Sequence, residues 1–157
     1  MKKETRILFI TISLNLLIAF IIFYCLLSFK LSEVFDFIQD FFLNFSIGII
    51  GLYASAYGCG LVLSKMNRIR IYHGVLASFL VLFIGTLAGS TVGFIQERIP
   101  STIEFKEPIS EAIFNYYTKP LFWIFFFGVI PTLISGVIIG KLLKKSSSKH
   151  PLQSPLY

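Results

Sequence analysis

The sequence predicts an all-α integral membrane protein, a bundle of four transmembrane helices, on three observations. Four runs, 7–29, 41–64, 75–95 and 121–140, contain no Asp, Glu, Lys, Arg or His. Each holds 20 residues or more, and at about 1.5 Å per residue that length crosses a hydrocarbon core of about 30 Å as a helix. Composition agrees, because 55% of the 157 residues are apolar and 14% are charged, where a soluble domain carries about 25% charge. The third observation is where the charge lies: of 14 Lys and Arg, 10 fall in the N-terminal segment, the 65–74 connector and the tail.

The first run follows Lys2, Lys3 and Arg6. A cleaved signal peptide has an apolar core of about 7–15 residues and a small-x-small site, whereas this run is longer and leads into Ser28-Phe29-Lys30, so it is read as a retained span. The next connector sets Glu33, Asp36 and Asp40 against Lys30. Leu31, Val34, Phe35, Ile38 and Phe42 share one helical face there, with Ser32 as a cap, so the second helix is expected to begin about two turns early and lie amphipathically at the outer interface. Lys65, Arg68 and Arg70 follow the second span without an acid.

The 96–120 connector contains Pro100, Pro108 and Pro120. Between the last two, Ile109, Ala112, Ile113, Tyr116 and Tyr117 form the stripe of a short amphipathic helix on the outer surface, with Tyr116, Tyr117 and Trp123 suited to an interfacial aromatic belt. Residues 1–143 are read as one membrane domain. The Ser- and Pro-containing segment 144–157 lacks apolar periodicity and is expected to be a disordered cytoplasmic tail. The positive-inside rule puts both termini in the cytoplasm, in a cell membrane, and the abundance of Lys, Ile and Phe is that of an AT-rich bacterial genome.

Small residues recur at four-residue spacing within the spans. Gly85, Gly89 and Gly93 make one row, Gly128, Thr132, Gly136 and Gly140 another, and Gly51 aligns with Ser55 as Ala54 does with Gly58. Such rows form shallow grooves that admit another helix backbone, so Gly51, Ser55, Gly85, Gly89, Gly93, Gly128, Gly136 and Gly140 are expected to be helix-packing positions, a glycine zipper. A self-association face or a pore lining is the alternative use. Pro131 is expected to kink the fourth helix and free the carbonyl of Phe127. An offset of 80 residues superposes Gly48 on Gly128, Ser55 on Ser135, Gly60 on Gly140 and Lys65 on Lys145, the pattern of a parallel duplication of a two-helix hairpin, although the first and third spans do not share it.

The missing residue types limit function. No carboxylate lies within a run for proton coupling, and His73 and His150 lie outside the runs, where they cannot ligate a haem between helices. Cys25 and Cys59 form no Cys-x-x-Cys pair, and their depths differ by about 20 Å, too far for a disulfide. Metal, cofactor and nucleic acid are not expected. The expectation is a non-enzymatic accessory, immunity or regulatory subunit whose partners are the lipid bilayer and itself or another membrane protein. A small oligomeric channel or permease with glycine-lined interfaces is the alternative.

Overall fold

The computed structural model describes residues 2–66, 68–98 and 108–147, and their regular structure is entirely helical. Helix α1 (Lys3–Leu26) starts a turn before the uncharged run, with Glu4 in the first turn where the helix dipole favours an acid. It ends three residues before Phe29. Ser28 and Phe29 take left-handed φ values of 54° and 62°. The Ser28 amide donates to the Cys25 carbonyl and the Phe29 amide to the Tyr24 carbonyl, both at 3.1 Å, while the Phe29 and Tyr24 rings meet edge-on at 5.4 Å. These are the paired bonds and the apolar contact of a Schellman closure, built here without its usual glycine.

Helix α2 (Leu31–Asp40) is a separate element and not the early start of the second long helix, because Phe41 breaks the path at φ −109° and ψ 23° before α3 (Phe42–Ser64) begins. Ser32 does not cap it. The N-cap is Lys30, and no side chain bonds the free amides. Of the expected apolar face, Val34 is buried and Ile38 half-buried, but Leu31, Phe35 and Phe42 are exposed. Phe37, off that face, also packs, its ring lying 4.9 Å from both Phe23 and Phe41.

Helix α4 (Ile71–Arg98) takes in four residues ahead of the uncharged run. Helix α5 (Ile109–Ile113) passes through a π-helical segment, Phe114–Thr118, directly into α6 (Lys119–Ser147). The short helix between Pro108 and Pro120 is therefore continuous with the last helix. Pro120 has no N–H and its ring crowds the carbonyl one turn back, so widening the preceding turn clears its place. Helix α6 runs unbroken through Pro131. It also carries on to Ser147, which makes the start of the expected disordered tail helical; the rest of that tail and segment 99–107 lie outside the described residues.

Among the described residues, four helical stretches are long and apolar enough to cross a membrane: Lys3–Leu26, Phe42–Ser64, Ile71–Gln96 and Ile109–Lys144. They alternate in direction, α3 between α1 and α4, and α4 between α3 and α6. Leu8, Ile12, Ala56, Leu63, Ile69, Ala77, Val81, Ile139 and Leu143 form a single buried cluster. The Lys2 ammonium reaches Ser64 Oγ at 3.0 Å, so the N-terminus, the α3–α4 connector and the end of α6 share one basic end, and the core sits toward it. Beyond Ile12, α1 has no buried residue.

Candidate functional site

Close backbone approaches between the described helices form glycine seams on both sides of α4. Along the first, α3 presents Asn44, Gly48, Gly51 and Leu52 to Gly93, Gly89 and Gly85 of the antiparallel α4. A β-carbon on Gly89 would lie 2.9 Å from the Asn44 carbonyl oxygen, one on Gly51 2.8 Å from the Ala88 β-carbon, and one on Gly85 would overlap the Leu52 side chain. One on Gly93 would meet the Asn44 amide at 2.7 Å and the Tyr116 ring at 2.8 Å. All lie well inside the 3.5–4.0 Å or so of optimal carbon contact; at Gly89 the obstacle is backbone, while at Gly85 and Gly93 it is side-chain ends that would have to shift. Ser55 of the same helix is half-buried and turns its hydroxyl back to the Leu52 carbonyl at 3.0 Å.

The second seam joins the start of α4 to the later part of α6. A β-carbon on Gly136 would stand 2.6 Å from the Val75 α-carbon, and one on Gly140 2.6 Å from that of Ile71. Gly74 faces both. Gly128 is looser, with only the Leu82 side chain at 3.3 Å, and Gly58 has open space around it. Gly60 meets α1, where its added carbon would sit 2.7 Å from the Thr5 α-carbon.

Three glycines in these contacts, Gly48, Gly60 and Gly74, are not among the packing positions read from the sequence. Gly74 begins a four-residue spacing with Ser78, but it lies just outside an uncharged run bounded by His73. Gly48 stands four residues from both Asn44 and Leu52, neither of which is small, so no small-residue row marks it.

Most of the polar side chains between the helices are paired with one another or with their own backbone, the exception being Thr5, whose buried hydroxyl against Gly60 has no hydrogen-bond partner among the described residues. Ser135 of α6 donates to Asn15 Oδ1 of α1 at 2.9 Å. Ser13 and Tyr53 share a 2.7 Å bond between α1 and α3. The Tyr117 hydroxyl of the π segment donates to Thr91 Oγ1 at 3.1 Å, and Thr91 in turn donates to the Leu87 carbonyl. Thr86 does the same to Leu82. These bonds tie the helices together and leave the groups engaged without an ionisable partner.

At the end opposite the basic one, Lys30 pairs with Glu33 at 2.6 Å, and that hydrogen bond raises the lysine pKa above its ordinary value. Lys119 reaches Asn115 at 2.6 Å and lies over the Phe114 ring. Cys25 is exposed and Cys59 half-buried, and both are free thiols. Among the described residues no three His, Cys, Asp or Glu side chains gather as a metal site. Comparison with protein-family models, with curated proteins and with solved structures finds no match.

Proposed function

We propose that the chain is a multi-pass protein of a bacterial cell membrane with both termini cytoplasmic, and that it is a non-enzymatic accessory, immunity or regulatory subunit acting through helix and partner contacts. The observation that carries this reading is the way α1 is held. Only Thr5, Leu8 and Ile12 of α1 are buried. Leu14, Leu17, Ile21 and Leu26 are each at least half exposed, as are Phe122, Trp123, Phe126 and Phe127 of α6 in the same half of the bundle. Two long helices thus present broad apolar faces away from their own core, the surface a partner helix needs.

The seams argue against the alternative of a conduit lined by glycines, since backbone-to-backbone contact between α3 and α4, and between α4 and α6, leaves no lumen there. A parallel duplication also gains support. Gly60 meets the start of α1 and Gly140 the start of α4, which are matching places in the two hairpins. Gly48 and Gly128 do not match.

The test has two arms. Reconstituted alone in liposomes, the chain should pass neither protons nor small ions, and a photo-crosslinker at Leu17 should yield one product with another membrane protein in cells while the same probe at Leu8 yields none. Selective flux through the purified chain would replace this reading with the channel.

A further inference from the structure

We propose that the face of α4 beside the basic end binds an anionic phospholipid of the surrounding bilayer, with an acyl chain along the helix and the phosphate at Arg68 and Arg70. The proposal rests on the membrane reading above. A shallow, open apolar groove is formed there on one face of α4 by Ile71, Tyr72, Val75, Leu76 and Phe79. Val75 and Phe79 are half-buried, while Tyr72 and Leu76 stand 55% and 65% exposed as its walls. The concavity has a cause in the second seam: Val75 is drawn down against Gly136, and Ile71 against Gly140.

From Ile71 to Phe79 the groove runs about 12 Å along the helix, most of the roughly 15 Å that one leaflet contributes to the hydrocarbon core. Arg70 directly precedes Ile71 and Arg68 stands two residues before that, both exposed, so the chain brings two cations to the basic end of the groove. A guanidinium fork suits a phosphodiester better than a point charge does. Lys141 follows Gly140, which lies on Ile71, so a third cation stands at the same end.

No single connector carries enough charge to select an anionic lipid, but the fold sums three of them. Lys2, Lys3, Arg6, Lys65, Arg68, Arg70, Lys141 and Lys144 gather at this end with Glu4 as the one described acid. The ion pair found among the described residues, Lys30–Glu33, is at the other end. Charge also decides between occupants. A second copy seated on this face in the same orientation would bring its own Arg68 and Arg70 against these, whereas a lipid phosphate neutralises them.

The experiment places a tryptophan in the groove (Leu76→Trp) and, as a control, at a matching depth on exposed α6 (Ile134→Trp), each in a Trp123→Phe background. Quenching is read in vesicles of phosphatidylcholine and phosphatidylglycerol with one or the other brominated. The groove probe should favour the anionic lipid over the control by about fivefold, the scale of one cation near a charged surface. Arg68→Gln with Arg70→Gln should return it to the control value while circular dichroism stays unchanged, and millimolar inorganic phosphate should leave the preference intact. Equal preference at the two probes, survival of the preference in the double variant, or its loss to free phosphate would each overturn the site. If neither brominated lipid quenched either probe, the membrane reading itself would fail.

Discussion

Gly74 of α4 and Gly140 of α6 touch through their backbones: a methyl group on Gly74 would stand 2.5 Å from the Gly140 amide nitrogen and 2.8 Å from its α-carbon. Neither helix has a flexible side chain there to move aside, so any added carbon must part the backbones. Gly74→Ala should therefore destabilise the bundle by roughly 1–3 kcal/mol, the cost of overpacking a close contact. Gly58→Ala, with nothing within 4 Å, should leave stability unchanged or raise it by up to about 1 kcal/mol, alanine being the better helix former. Denaturant titration of both variants in detergent measures the difference. Equal stability would mean that the α4–α6 seam is looser than described.

The Ser135–Asn15 bond joins helices 120 residues apart in sequence. Interhelical bonds of this kind contribute about 0.6 kcal/mol and at most roughly 1.7. A double-mutant cycle with Asn15→Leu and Ser135→Ala should return a coupling in that range, and zero coupling would remove the bond as a link between α1 and α6.

Ser28 occupies the left-handed position of the turn that closes α1. A side chain there costs about 1 kcal/mol relative to glycine. Ser28→Gly is expected to raise stability by that amount, whereas Phe29→Ala, which removes the ring contact with Tyr24, should lower it. Thermal melts of the two variants moving in the same direction would contradict this account of the turn.

Orientation is testable by cysteine accessibility. With Cys25 and Cys59 replaced by alanine, Lys3→Cys and Ser147→Cys should resist an impermeant thiol reagent in intact cells, while Ser32→Cys at the acidic end reacts. The reverse pattern would turn the protein over and move the basic end outside.

The four long helices were legible because charge is absent for twenty residues at a stretch, a signal that needs no partner to be read. Helix ends were less so. Ile71–Gly74 joins α4 although Tyr72 and His73 look like connector; the turn rests on Gly136 and Gly140, more than sixty residues away, and is closed locally by the Arg70 amide donating to His73 Nδ1 at 2.9 Å. On α2, periodicity picks out Leu31, Phe35 and Phe42, which stand exposed, but it gives no sign that Phe37 packs among Phe23, Phe41 and Phe45, because those rings come from three different helices or their junctions. Spacing reveals that Gly85, Gly89 and Gly93 form a groove. It does not reveal that the groove is filled by Asn44, Gly48 and Leu52, because two of those three are not small residues.

The π segment ahead of Pro120 makes the molecule sensitive to chain length at one place. A π turn holds an extra residue compared with an α turn, so α5 is rotated by about 100° from where a continuous α-helix would carry it. That rotation is what leaves Ala112 fully buried with Ile109 and Ile113 outside. Deleting a single residue between Phe114 and Thr118 would restore α-helical phase, swing Ala112 out and turn a bulkier isoleucine inward, and it would bring the Pro120 ring back against a carbonyl. A one-residue insertion or deletion is usually harmless in a loop; here it would reorient everything that precedes it as far as Pro108.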